Sequence, residues 1–276
     1  MAALSGSADR AALERGLEEL RGLGFDPVQA SNLRASDGPF AGDDQARLEG
    51  FHELAADPDL RAIFFLRGGH GVLRLLDGID WGLLARHPRS YVGYSDLTPL
   101  LSQVVTRLGL TAIHGPMVAV EMARGLEPSE RESLLTALAG EGTLRYQLAG
   151  PGRGPVVEAP LFGGCLSLLA ATAGTEFAAG GEGGILFWED VDEPFYRIDR
   201  MLTQLRLSGS VSSLSGMVIG QAELEPTELE RLQSDFQGAF VAGLSSGHCS
   251  PNLPLPLGAL ARLDPGRQLL EIELSP

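Results

Sequence analysis

The chain has 276 residues, a length that suits two modest domains. Its 21 basic residues are all arginines and stand against 36 acidic residues, so the formal net charge is −15. The absence of lysine excludes a Ser–Lys dyad, a lysine Schiff base and a P-loop lysine. We also expect the protein to use no cofactor. The acidic balance argues against nucleic acid as a partner.

No apolar run approaches the roughly 20 residues of a membrane span, and the N-terminus lacks a signal-peptide pattern. Two cysteines cannot build a disulfide framework, so we expect a soluble protein of the reducing cytoplasm.

Helices and strands alternate along the first half of the chain. Leu13, Leu17 and Leu20 recur at helical spacing, and Gly24 ends that predicted helix. The elements that follow are a helix over 42–58, a strand in RAIFFL, a helix over 80–87, a strand in RSYVGY, a helix in SDLTPLLSQVVTRLG and a strand end in TAIHGPM. This alternation predicts an α/β fold with a mostly parallel sheet that is covered on both faces.

The composition changes near residue 140, where a Gly/Pro-rich stretch with little helical period begins. We therefore predict an N-terminal α/β domain over 1–140 and a smaller C-terminal α/β domain over 141–276. The elements predicted in the second half are a short helix after Gly163 and Gly164, a strand in GILFWED, a helix from Pro194, a strand over 211–221 and a last strand in RQLLEIEL.

The segment YVGYSDLTPLL carries the strongest local signal for catalysis. A strand ends at Tyr94, Ser95 occupies the turn, and a helix follows at once, which is typical of a nucleophile elbow. In that geometry the amide of Asp96 can face a developing oxyanion. The alternative is that Ser95 caps the helix, since serine is a preferred N-cap residue.

A nucleophilic serine needs a base and an orienting carboxylate. His70, His114 and His248 occupy strand ends or loops where a base could lie, and position alone does not choose among them. The segment WEDVDEP supplies four acids after a predicted strand, and the first of them, Glu189, is the favoured partner of the base. Alternatively, these four acids lie at the N-terminus of the following helix simply because the helix dipole favours negative charge there. No spacing of histidine and cysteine suits a metal, so we expect no metal site.

These segments resemble the LD-carboxypeptidase family of serine peptidases. The resemblance runs in order from about residue 40 to residue 258, through FAGDDQARLEGFHELAADPDLRAIFFLRGGHGVLRLLDGIDW, YVGYSDLT, AIHGPM, LFGGCLSLLAATAGT, ILFWEDVDEPFYRIDRMLTQL and GHCSPNLPLPLG. It implies an N-terminal domain similar to class I glutamine amidotransferases, a smaller C-terminal α/β domain, and a homodimer.

The resemblance also implies a catalytic triad at the interface of the two domains. Matched motif by motif, the nucleophile is Ser95, the acid is Glu189 and the base is His248. The oxyanion would be held by the amides of Asp96 and Gly69.

Three residues are weaker candidates for substrate binding: Arg67, His70 and Cys165. His70 stands where the family usually has tyrosine, and Cys165 stands where it commonly has asparagine. Arg67 and Arg200 are the motif arginines that could hold a terminal carboxylate, although each could equally serve in a structural ion pair.

The first strand also departs from the family, because MAALSGS begins about where that strand usually ends. A missing strand would leave neighbouring backbone groups unpaired.

The resemblance implies cleavage of the L,D-peptide bond before a C-terminal D-alanine in cytoplasmic muropeptides, as in peptidoglycan recycling. The alternatives are a self-immunity hydrolase of the microcin C type, acting on peptidyl or aminoacyl nucleotides, and a non-catalytic muropeptide-binding protein. An intact Ser95, Glu189 and His248 argue against the last.

Overall fold

The computed structural model describes residues 1–211 and 213–274, and its elements form two sheets flanked by helices. The helices are α1 (Arg10–Gly22), α2 (Asp44–Ala56), α3 (Trp81–Arg86), α4 (Thr98–Leu108), α5 (Pro128–Ala139), α6 (Leu166–Thr172), α7 (Phe195–Leu207) and α8 (Pro226–Asp235). The strands are β1 (Ala62–Phe64), β2 (Ser90–Gly93), β3 (Ala112–His114), β4 (Gly142–Gln147), β5 (Gly152–Arg153), β6 (Val157–Cys165), β7 (Ile185–Glu189), β8 (Gly216–Ile219), β9 (Ala239–Ala242), β10 (Leu255–Leu257), β11 (Leu260–Asp264) and β12 (Leu269–Leu274).

The first sheet has the strand order β1-β2-β3-β10. Strands β1, β2 and β3 are parallel, and β10 returns from late in the sequence to pair antiparallel with β3. Helices connect the parallel strands, as the alternation of elements predicted, and the α/β fold is confirmed.

The second sheet has the order β4-β12-β11-β6-β7-β8-β9-β5. Its centre, β6 to β9, is parallel, and antiparallel strands extend both edges. Strand β8 is shorter than the strand predicted over 211–221, and Ser212 of that prediction lies outside the described residues. The domain boundary near residue 140 stays a prediction.

The N-terminal residues lie beside β1 rather than leaving it open. The amide of Ala2 donates to the carbonyl of Phe64 at 3.0 Å, and the amide of Leu66 donates to the carbonyl of Ala2 at 2.8 Å. Residues 1–5 are buried. Along these residues the backbone groups at the edge of β1 are therefore paired.

Burial of apolar side chains explains how the main helices dock. In α1 the buried residues include Leu13, Leu17 and Leu20, on the face that the sequence spacing predicted. The helix begins at Asp9, whose carboxylate accepts hydrogen bonds from two amides of the first turn. In the second sheet, β7 is buried at all five positions. Ile185 and Phe187 belong to one apolar cluster and Leu186 and Trp188 to another, so both faces of the strand are covered.

Candidate active site

Ser95 lies directly after β2 in a strained turn. Its φ is +60°, a left-handed value that is uncommon for a residue other than glycine. A 3₁₀ turn over Ser95–Leu97 leads into α4, and the side chain of Ser95 caps neither element. This backbone strain supports the elbow interpretation, because such strain persists only where the surrounding structure holds it. Since the side chain of Ser95 makes no capping hydrogen bond, the structure argues against the N-cap alternative.

Three predicted residues come together in one hydrogen-bonded chain. Nε2 of His248 lies 3.1 Å from Oγ of Ser95, and Nδ1 of the same ring lies 2.7 Å from Oε2 of Glu189. Glu189 is the last residue of β7 and is fully buried, whereas the His248 side chain is 26% exposed. The exposed edge of the imidazole is thus open to a substrate, while its far side rests on a buried carboxylate.

Electrostatics favour a charged imidazole at this position. Burial alone would lower the pKa of His248, but the hydrogen bond and charge of Glu189 raise it, and the nearby charges of Asp190 and Glu121 act in the same direction. Burial raises the pKa of Glu189, against the effect of its contact with His248. The ring is therefore placed to accept a proton and to be stabilised once it carries it.

The loop that carries His248 is held by contacts that the sequence did not reveal. The amide of Gly247 donates to Oδ1 of Asn252 at 2.9 Å, and the amide of Asn252 donates to Oε1 of Glu130 at 2.7 Å. Glu130 lies in α5 and is fully buried. Asn252 belongs to the recognisable GHCSPN segment, but nothing near Glu130 in the sequence points to this loop, because the two are 122 residues apart.

The Gly-rich loop 67–71 lies beside Ser95. A Cβ on Gly68 would fall 3.0 Å from Oγ of Ser95, so the backbone of Gly68 approaches the serine closely. Gly69 has a φ of +131°, and the side that a Cβ would occupy faces Ser5 and Gly6. In the described part of the chain, the amides of Gly68 and Gly69 donate to no backbone carbonyl, which leaves both available to a ligand.

Asp96 ties this loop to the nucleophile. Its carboxylate accepts a hydrogen bond from the hydroxyl of Ser5 at 2.6 Å and another from the amide of Val72 at 3.0 Å. Both contacts use Oδ2, and the side chain is buried. The residue predicted for its backbone amide therefore also positions the loop through its side chain.

The weaker candidates lie around the triad in different settings. Arg67 is exposed and its guanidinium donates to the carbonyls of Gly68 and Ser7. His70 is exposed, with its ring 4.7 Å from the ring of Phe40. The guanidinium of Arg200, on α7, lies 5.4 Å from the centroid of the Tyr196 ring, and among the described residues it is in no ion pair.

Cys165 lies beneath the site rather than at its surface. It pairs with Glu189 across the parallel strands β6 and β7, is 3% exposed, and its Sγ lies 3.3 Å from Oγ of Ser167. Burial, with the nearby charges of Glu189 and Asp190, raises the pKa of its thiol. Cys165 therefore reaches a substrate only if the surrounding side chains move.

The structure also describes His114, another candidate for the base, and Cys249, the residue after His248. His114 is fully buried between the rings of Tyr94 and Phe187, and neither ring nitrogen has a hydrogen-bond partner in the described part of the chain. Burial, with the neighbouring His248, lowers its pKa to about 3. The thiol of Cys249, the residue after His248, donates to the carbonyl of Pro251 at 3.2 Å. Of the three candidate histidines, His248 is the one whose ring lies within hydrogen-bonding distance of Ser95 in the described part of the chain.

Residues 1–211 and 213–274 contain no group of three or more His, Cys, Asp or Glu side chains arranged to hold a metal ion. Within the same residues, no helix combines the length and apolar character needed to cross a bilayer.

A serine on a strained strand-to-helix turn, hydrogen-bonded to a histidine that rests on a buried carboxylate, is the arrangement of a serine hydrolase. Comparison with known proteins narrows this class. Residues 1–115 match the LD-carboxypeptidase N-terminal domain and residues 158–263 match the LD-carboxypeptidase C-terminal domain. The chain belongs to the LD-carboxypeptidase family and is a serine-type peptidase.

Relatives support this placement over nearly the whole chain. A putative carboxypeptidase of Streptomyces coelicolor is 39% identical over 94% of this chain and 88% of its own length. A murein tetrapeptide carboxypeptidase of Pseudomonas aeruginosa is 36% identical over 92% and 89%. The microcin C7 self-immunity protein of Escherichia coli is 26% identical over 91% and 84%. The crystal structure of a muramoyltetrapeptide carboxypeptidase from Oxalobacter formigenes superposes with a TM-score of 0.89 at 28% identity, covering 100% of this chain and 97% of that one.

Proposed function

We propose that this protein is a carboxypeptidase that removes a C-terminal D-alanine from muropeptides by hydrolysing the L,D-peptide bond. The observation that carries the proposal is the chain of contacts from Ser95 through His248 to Glu189. Relatives named for murein peptides support the substrate class, since they are more similar to this chain than the microcin relative is.

In the first half of the reaction, Oγ of Ser95 attacks the carbonyl carbon of the scissile bond. Nε2 of His248 takes the hydroxyl proton as the new C–O bond forms. Glu189 holds the ring through Nδ1 and stabilises the imidazolium. The oxyanion of the tetrahedral intermediate is held by the amide of Asp96 and by an amide of the Gly-rich loop, Gly69 or its neighbour Gly68.

Collapse of that intermediate breaks the C–N bond, and His248 returns the proton to the departing amine of D-alanine. The shortened peptide remains as an ester on Ser95. Water then attacks this ester, with His248 again taking a proton, and a second collapse regenerates the serine and releases the peptide carboxylate. Every proton transfer uses the same ring, so no cofactor is needed.

Removal of only the last residue requires recognition of a terminal carboxylate. Arg67 is the candidate with support from position, because its guanidinium lies next to the Gly-rich loop and is exposed. Arginine suits bidentate contact with a carboxylate. His70 is a neighbour that would contact the same end of the peptide, and Cys165 would shape the pocket floor next to Glu189.

The proposed setting is the cytoplasm, where muropeptides from cell-wall turnover would be recycled by a homodimer of this chain. Free thiols at both cysteines of the chain agree with a reducing compartment. The test of localisation is fractionation of the native cells, and the test of assembly is light scattering of the purified protein.

The competing function is hydrolysis of peptidyl or aminoacyl nucleotides, as the relation to the microcin C7 self-immunity protein suggests. The deciding experiment compares kcat/KM for a muramoyl tetrapeptide ending in D-alanine with that for an aminoacyl adenylate. We expect the tetrapeptide to be the better substrate. Preference for the adenylate would replace the proposed function by the alternative.

A further inference from the structure

A buried polar pair lies behind His248, outside the triad. Tyr94, the residue before the nucleophile, donates its hydroxyl to Oε1 of Glu121 at 2.7 Å. The other oxygen of Glu121 accepts the amide of Met117 at 2.9 Å. Tyr94 is 3% exposed and Glu121 is 5% exposed, so both groups are removed from solvent.

The ring of Tyr94 contacts the catalytic imidazole directly. Its centroid lies 4.9 Å from that of His248 with an interplanar angle of 67°, an edge-to-face arrangement. The same ring lies 5.5 Å from the ring of His114. Tyr94 thus contacts two histidine rings, and its hydroxyl is anchored by the hydrogen bond to Glu121.

Glu121 sits in an unusual segment. The π-helical segment Val118–Met122 is kinked at Ala119, and π-helical turns are found frequently at functional sites. Two hydrogen bonds to its carboxylate favour the ionised form, against burial, which raises the pKa of Glu121. Among the described residues Glu121 forms no ion pair, and Arg124, whose charge also lowers its pKa, pairs with Glu130 instead. A buried carboxylate in this setting costs desolvation, and its presence calls for an explanation.

We propose that Tyr94 and Glu121 form a positioning pair, which holds the imidazole of His248 at the Ser95 side and adds a second negative charge behind it. Glu189 fixes one ring nitrogen, and the tyrosine edge restricts rotation of the ring about that contact. The pair does not touch the substrate. This inference rests on the proposed role of His248 as the catalytic base.

Several groups besides this pair face His248, and they define what a titration would report. Glu189 and Asp190 come from the end of β7, Cys249 follows in the same loop, and His114 lies beneath the tyrosine. Of these, the carboxylates raise the pKa of His248, and Glu121 contributes to the same rise. Removal of the Glu121 charge alone should therefore lower that pKa, while Glu189 keeps the ring hydrogen-bonded.

The test combines NMR titration of His248 with steady-state kinetics in Glu121→Gln and Tyr94→Phe. The His248 resonance is assigned by its loss in His248→Gln. Tyr91→Phe is the matched control, because Tyr91 is a fully buried tyrosine of β2, three residues before Tyr94, and its hydroxyl has no partner in the described part of the chain. Melting temperatures show whether each variant folds. If Glu121→Gln does not fold, the inference is tested with Tyr94→Phe alone.

We expect both variants to lower the pKa of His248, because Glu121→Gln removes the charge and Tyr94→Phe removes a hydrogen bond that favours the ionised form of Glu121. We also expect both to reduce kcat about ten- to a hundredfold with little change in KM, as a small displacement of reacting groups does. Tyr91→Phe should leave both unchanged. A wild-type titration curve in the folded variants would overturn the inference, whatever their kcat. A wild-type enzyme that does not cleave the tetrapeptide would instead refute the proposed function, and the titration would still decide whether the pair acts on His248.

Discussion

Gly247 precedes His248, the proposed base, at a place where no side chain fits. Its φ is +106°, and a Cβ there would lie 2.5 Å from both Cγ and Oε2 of Glu189. The Gly247→Ala substitution therefore adds a backbone cost of about 1–2 kcal/mol and an overpacking cost of about 1–3 kcal/mol. The sum is below the stability of a typical protein, about 5–15 kcal/mol, so we expect the variant to fold.

The displaced atoms belong to the carboxylate that holds His248. Restoring an ordinary contact of about 3.4 Å requires a movement of about 1 Å, and an error of that size in a catalytic group can cost about 100-fold in rate. We expect Gly247→Ala to lower kcat about 100-fold and to lower the melting temperature, as measured by tetrapeptide hydrolysis and by calorimetry.

The control is Gly24→Ala, since Gly24 has a φ of +91° but nothing within 4 Å of its Cβ position. That variant carries the backbone cost alone, so it should be destabilised by about 1–2 kcal/mol with an unchanged kcat. If Gly247→Ala lost no more activity than Gly24→Ala, the contact between the loop and Glu189 would not matter for catalysis.

Three further results are expected. Hydrolysis should survive exhaustive chelation, because the serine mechanism uses no Lewis acid; loss of activity that zinc restores would contradict the triad. In Glu189→Gln, kcat should fall and the acid limb of kcat/KM should move to lower pH. The base acts when neutral, and removal of the carboxylate lowers the pKa of His248. An acid limb at the wild-type pH would argue against the pairing of Glu189 with His248. A tetrapeptide ending in D-alanine should be cleaved far faster than its L-alanine epimer, because inversion moves the scissile carbonyl away from Ser95; equal rates in a competition assay would leave a serine hydrolase but end the proposed substrate assignment.

The alternation of elements and the α/β fold followed from the sequence because helices and parallel strands have distinct apolar periods. Short strands such as β4, β5 and β10 were not predicted, since two to six residues carry too little pattern to separate a strand from a loop. Helix α8 was also missed, although Pro226 and a capping box mark its start, because only Leu232 of that helix is buried.

The candidate site was likewise predicted only in part from the sequence. Ser95 showed a local signal, the turn between strand and helix, whereas spacing left three histidines open and the family resemblance chose His248. The contacts that fix the site could not be read from the chain: Tyr94 with Glu121 and Asn252 with Glu130 join residues 27 and 122 positions apart, and only the folded backbone brings them together.

The central claim is that Ser95 releases D-alanine from a muropeptide with His248 as its base. The most direct measurement is the rate of D-alanine release from the tetrapeptide by the wild-type protein and by Ser95→Ala. We expect steady release by the wild type and a loss of several orders of magnitude in the variant, with an unchanged fold, because the members of a triad act as a unit. Release by Ser95→Ala at the wild-type rate would contradict the account.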